Sequence, residues 1–191
     1  MDRDKEKTAY IGGALTDVRL TIEEWLIAFR SVGVARWMGM LLGFLLFNSS
    51  ALGEFMTFHQ ARKTQNLKDF YEELAAAWER ITGIPAFVPH RFYDPVKNAE
   101  AQPPEVRAFE GGQIHERTKV LVAVLFEPAT GVGIEMGWSE VYGIPIIIVR
   151  MANVSRLPLG LHKVTDIRTK SRRESLQQFE QVVRAKFTLA A

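Results

Sequence analysis

The chain contains no cysteine, so it forms no disulfide and offers no thiolate to a metal, which fits a reducing compartment. Net charge is also scarce. A formal +2 over 191 residues is too little to indicate a nucleic-acid partner. Residues 150–191 do carry nine Lys or Arg against three acids, but the arginines are scattered. They read as a solvated surface, with a phosphate-binding strip as the alternative. His59, His115 and His162 lack the mutual spacing of a zinc site and read as ordinary surface or core residues. The apolar stretch Trp37 to Phe47 falls short of the ~20 residues a membrane span needs. Met1 to Lys7 is charged with no apolar stretch behind it, so no secretory signal is expected and the predicted location is cytoplasmic. No internal repeat or low-complexity tract is present. What remains is a globular balance, 47% apolar and 24% charged, that predicts one domain with one buried core.

Thr8-Ala9-Tyr10-Ile11 followed by Gly12-Gly13 reads as a first strand ending in a tight glycine turn that a ligand could approach. From Leu67 to Ile81 the apolar residues recur at three- and four-residue steps, the stripe of an amphipathic helix. Ala86-Phe87-Val88 predicts a second strand and Pro89 to Pro95 a loop. A helix is expected from Glu105, interrupted or ended by Gly111-Gly112. Val120 to Phe126 and Ile144 to Val149 are continuous apolar runs, the pattern of parallel strands covered on both faces. The loop Glu127 to Gly133 and a helix from Ile134 to Tyr142 lie between them. That βαβ order predicts a doubly wound parallel α/β sheet, closed by an amphipathic helix over Ser171 to Phe187. The segment at about 18–66 exceeds what a βαβ connection needs. It is read as a helical insertion, buried or covered by a partner, with a membrane-surface contact through residues 37–47 or a poorly ordered segment as alternatives.

The stretch from Pro128 to Trp138 is the most informative. It sets Glu135 on the expected first turn of a helix directly after a buried strand, where free amides would favour an ionised carboxylate. Such a group suits nucleophilic attack in a retaining glycosyl transfer. The same glycine-rich pattern also describes a nucleotide-phosphate cradle with Glu135 as a helix-favouring acid.

Tyr10 to Asp17, Phe87 to Pro95 and Leu121 to Gly137 together resemble three blocks of the nucleoside 2-deoxyribosyltransferase family, in that order. They cover a little over half the chain, residues 8–17 and about 67–160. The resemblance implies a flavodoxin-like parallel sheet, a homo-oligomer and no metal or organic cofactor, while the low net charge already argued for no nucleic-acid partner. It also implies cleavage of the N-glycosidic bond of a 2'-deoxynucleoside or its 5'-monophosphate, with transfer to water or another base. The glutamate of the Gly-x-Gly-x-Glu-x-Gly block, the family's nucleophile, falls on Glu135. Tyr10, Gly12, Gly13, His90, Asp94, Thr130, Gly131, Gly133 and Ser155 fall at positions that would line the substrate.

The pattern departs from the family in two places. The family's aspartate on the helix before the third strand matches Gly111 by spacing, with Glu110 adjacent. Either Glu110 takes its role as the second catalytic carboxyl or the group is absent. The hydroxyl expected in the glycine loop is replaced by Ala129 beside Thr130, and Ser155 matches the later phosphate-contacting serine only with a four-residue gap. Individual residues have plainer readings too. His90 could cap local carbonyls, Asp94 before Pro95 could simply start a turn, and Tyr10 and Trp138 could be core residues or stack on a base. A nucleotide-binding module that has lost catalysis therefore stands beside the enzyme as a second reading, and a membrane-associated scaffold as a third.

Overall fold

A computed structural model of the chain describes residues 7–14, 22–47, 50–94, 102–126, 129–151 and 156–188. Strands β1 (Thr8–Gly13), β2 (Ala86–Phe87), β3 (Thr118–Val124), β4 (Ile146–Arg150) and β5 (Val164–Arg168) form one sheet in the order β2-β1-β3-β4-β5. Every neighbouring pair is parallel. This is the flavodoxin-like order of a doubly wound sheet, with the expected helical insertion between β1 and β2. The insertion holds α1 (Ile22–Val32), α2 (Val34–Phe47) and the start of α3 (Ala51–Thr82). The later connections carry α4 (Pro103–Gly112), α5 (Thr130–Val141) and α6 (Arg156–Leu159), and α7 (Arg172–Phe187) follows β5.

The continuous apolar runs become β3 and β4 because both of their faces are covered. Tyr10, Leu121, Ala123, Ile146 and Ile148 pack in one cluster with Val132 and Met136 of α5. The alternate residues Ile11, Val122 and Val149, also buried, point to the opposite face. Right-handed crossovers assign that face to α3 and α7, where the Trp78 and Phe187 rings meet at 5.3 Å. Each such side chain contributes about 1.5–3 kcal/mol by leaving water. Ser171 begins α7 by accepting a hydrogen bond from the Glu174 amide, the expected use of a serine at a helix start.

Several element boundaries differ from the sequence expectation. β1 continues through Gly12 and Gly13, which pair with Ala123 and Val124, rather than ending before them. α3 begins at Ala51, well before the apolar stripe that announced it. α4 ends at Gly112 as expected, but the helical path does not stop there, because the amide of Gln113 still reaches the carbonyls of Phe109 and Glu110. The chain continues through a π-helical turn, Gln113–Arg117, that buries Ile114. β5 was not anticipated, since Val-Thr-Asp-Ile-Arg is mostly polar. As the last strand of the sheet it buries only Ile167.

The chain divides into two compact units, one of residues 1–16 and 68–191, the other of residues 17–67. In the smaller unit the ring of Phe29 on α1 lies 4.9 Å from Trp37 on α2 and 5.8 Å from Phe55 on α3. The apolar stretch was expected to be buried or covered by a partner; within this chain α2 contains no buried residue. Three helical segments enclose a small aromatic cluster but supply too few layers to cover α2 as well. Among the described residues no single helix is long and apolar enough to cross a membrane.

Candidate active site

The carboxyl ends of β1 and β3 diverge where the connections leave in opposite directions, the position at which doubly wound sheets bind ligands. Glu135 occupies this position. The Tyr10 hydroxyl on β1 donates to its Oε1 at 3.0 Å. Its Oε2 is buried and has no hydrogen-bond partner. The carboxylate lies so close to β1 that a Cβ added at Gly12 would fall 2.5 Å from Oε2. Glycine at position 12 is therefore a requirement of the carboxylate's own packing. At Gly13 the space is filled instead by the Tyr71 hydroxyl of α3, which donates to the Ala14 carbonyl at 3.1 Å. The room expected for a ligand beside these two glycines is thus taken by side chains.

The expected charge state of Glu135 is overturned. α5 begins at Thr130, with Ala129 as its N-cap, so Glu135 sits on the second turn, beyond the free amides. A helix dipole acts mainly within the first turn, and burial prevails here. Desolvation, followed by repulsion from Glu110, pushes the Glu135 carboxyl from 4.5 up to about 8, against a smaller lowering by the Tyr10 hydrogen bond. Tyr10 is pushed well above the usual phenol value by its own burial, then by Glu135 and Glu110, so it stays a donor. Burial also raises the Glu110 carboxyl.

Glu110, on the last turn of α4, thus acts electrostatically on both Glu135 and Tyr10. A Cβ at Gly111 would instead meet the Trp138 ring at 3.6 Å. The turn that follows α4, Gln113–Arg117, is π-helical and takes in one residue more than an α-helical turn.

The other candidates separate into two groups. Thr130, Gly131 and Gly133 lie exposed on the first turns of α5, with nothing within 4 Å of the Cβ position of either glycine. His90 and Asp94 are committed to protein partners. His90 Nε2 lies 2.9 Å from Glu72 Oε1, rather than capping a carbonyl, while its Nδ1 is buried without a partner. Desolvation, the largest influence, lowers its pKa against the pull of Glu72. Arg91 joins the same Glu72 at 2.5 Å. Asp94 is buried and ion-paired with the equally buried Lys68 at 2.6 Å, a tie that neither the hydroxyl-binding nor the turn-starting reading foresaw. Ser155 and Glu127 lie outside the described residues.

Sequence reasoning missed Tyr71, Glu72 and Lys68, all on α3. Lys68 carried a usable signal, since a cation adjacent to Leu67 and two residues before Phe70 sits at the edge of the buried stripe. Among the described residues no group of three or more His, Asp or Glu is placed to hold a metal.

No family model and no curated protein matches the chain. Among solved structures, that of the Clostridium botulinum CMP N-glycosidase BcmB matches with a TM-score of 0.49 and 22% identity. The match covers 63% of this chain and 93% of that one. A likeness at this level carries no information about substrate or chemistry, and the fold class rests on the strand order itself.

Proposed function

We propose that the chain breaks the N-glycosidic bond of a 2'-deoxynucleoside or its 5'-monophosphate, with Glu135 as nucleophile. One observation carries the reading: a carboxyl at the β1/β3 divergence with one oxygen anchored by Tyr10 and the other buried and unpartnered against Gly12. Oε2 attacks C1' as the C1'–N bond breaks, and the bonding pair leaves with the base. Glu110, whose raised pKa suits a proton donor, supplies the proton to the departing nitrogen. Water, deprotonated by Glu110, then attacks C1' of the glycosyl ester, releasing the sugar and regenerating the carboxylate. A second base in place of water gives transfer. Thr130 and the open backbone at Gly131 and Gly133 are the surface offered to the rest of the substrate.

The raised pKa of Glu135 gives the second reading its support. A carboxyl that titrates near 8 is mostly protonated at neutral pH, and a protonated nucleophile is inert. On that reading the chain binds a nucleotide without cleaving it. Incubating the full chain with a panel of 2'-deoxynucleosides and their monophosphates, with and without a second base, decides between them. Base release that vanishes in Glu135→Gln supports cleavage. Thermal stabilisation by a donor with no base released selects the binding module.

A further inference from the structure

We propose that α2 is a lipid-binding device that inserts from one side beneath the headgroups of an anionic phospholipid membrane. Leu45, Leu46 and Phe47 at its end are 65%, 67% and 81% exposed. Three consecutive residues at about 100° steps already spread over more than half of a helix circumference, and exposed Phe44 extends the set further round. A protein partner covers one face of a surface helix, whereas a helix apolar all round calls for surroundings that reach every face. Acyl chains and the boundary beneath the headgroups supply such surroundings.

The patch is organised. Gly33, with φ +80°, allows the sharp turn between α1 and α2, whose axes differ by 103°. The stacked rings of Trp25 and Phe29 on α1, together with Phe55 on α3, hold the base of the hairpin. α1 adds exposed Leu26 and Ile27 to the apolar surface. The 14 residues of α2 extend roughly 21 Å at 1.5 Å per residue, short of the ~30 Å hydrocarbon core, so insertion from one side fits better than a span.

Charge selects the kind of membrane. Between Glu24 and Glu54 the only charged residues are Arg30 and Arg36, both exposed and flanking the α1–α2 turn. An anionic headgroup layer complements them. A second copy of the hairpin would bring arginine against arginine with no acid from this stretch between them.

The test is co-sedimentation of the full chain with phosphatidylcholine vesicles, with and without phosphatidylserine, beside light scattering of the protein alone. We expect partitioning onto the serine-containing vesicles, weakened about tenfold or more in the double variant Leu45→Glu, Phe47→Glu. The double variant Arg30→Glu, Arg36→Glu, which keeps the apolar surface, should lose about tenfold on the anionic vesicles alone. Melting curves matching the parent's establish that both variants are folded. Unchanged binding in the Leu45, Phe47 variant would overturn the proposal. So would failure of the parent to bind either vesicle, and a concentration-dependent dimer that this variant dissociates would then assign the patch to a second copy.

Discussion

The two compact units treat polarity in opposite ways. In the sheet unit, Glu135, Asp94 and Lys68 are withdrawn from water, and each is held there by a neighbour or by close packing. In the unit of residues 17–67, apolar side chains of α2 are left in water while Trp25, Phe29 and Phe55 hold the helices together. A buried carboxyl costs free energy in the folded state, and so does an exposed apolar helix in an isolated chain. Stability alone explains neither. Each is a place where local rules are broken, and such places mark function in proteins that are otherwise locally consistent.

The largest effect that would test this contrast is at Glu135. Replacement by Gln should lower base release by at least about a thousandfold, since it removes the nucleophile, and should also stabilise the fold. The folded carboxyl titrates near 8 against an ordinary 4.5. Below about pH 4 both states hold the proton and the group is neutral in its effect. As pH rises the unfolded chain ionises first, so native stability falls through the window from 4.5 to about 8. Denaturant melts should show the gain of Glu135→Gln growing from near zero at low pH to at most about 5 kcal/mol at pH 9. A gain independent of pH would mean that Glu135 is not a strained buried acid. For the same reason kcat/KM of the parent should climb with pH until about 8.

Gly12→Ala comes next. Its methyl group collides with Oε2 of Glu135, so either the strand or the carboxylate must shift. Base release should fall about a hundredfold, with a stability cost of about 1–3 kcal/mol. Retained activity would show that the carboxylate need not rest against β1. Tyr10→Phe is milder. It removes the hydrogen bond that the Tyr10 hydroxyl donates to Glu135 Oε1 and the lowering influence that comes with it. The rise of kcat/KM should therefore move to higher pH, with a stability loss of about 1 kcal/mol. A purely structural tyrosine would change stability and leave the pH profile in place. At the other pole, Leu45→Glu with Phe47→Glu should change the melting free energy by less than about 0.5 kcal/mol, because exposed residues lose nothing when they become polar. A large loss would mean that α2 is covered in solution.

Much of the sheet unit was legible from residue patterns. Apolar runs announce β3 and β4 because a parallel strand covered on both faces admits little else, and the stripe from Leu67 announces α3 by its period. β5 stayed hidden because an edge strand keeps water on much of its surface and needs no such run. The start of α5 was misplaced because Gly131 and Gly133 resemble a loop locally, although the helix runs through them once Val132 and Met136 have a core to enter.

Glu135 as the candidate nucleophile, and Glu110 as the alternative to Gly111, came from the resemblance of the glycine-rich block and its neighbours to a known family; spacing alone left a phosphate cradle equally open. That the insertion would be helical and apolar also followed from its composition and from a length beyond what a βαβ connection needs. The raised pKa of Glu135, the electrostatic influence of Glu110 on it and the partners of His90 and Asp94 were decided only by tertiary structure. The reason is the same in each case. Desolvation and ion pairs to α3 depend on which surfaces residues far apart in the chain present to one another, and no local pattern encodes that.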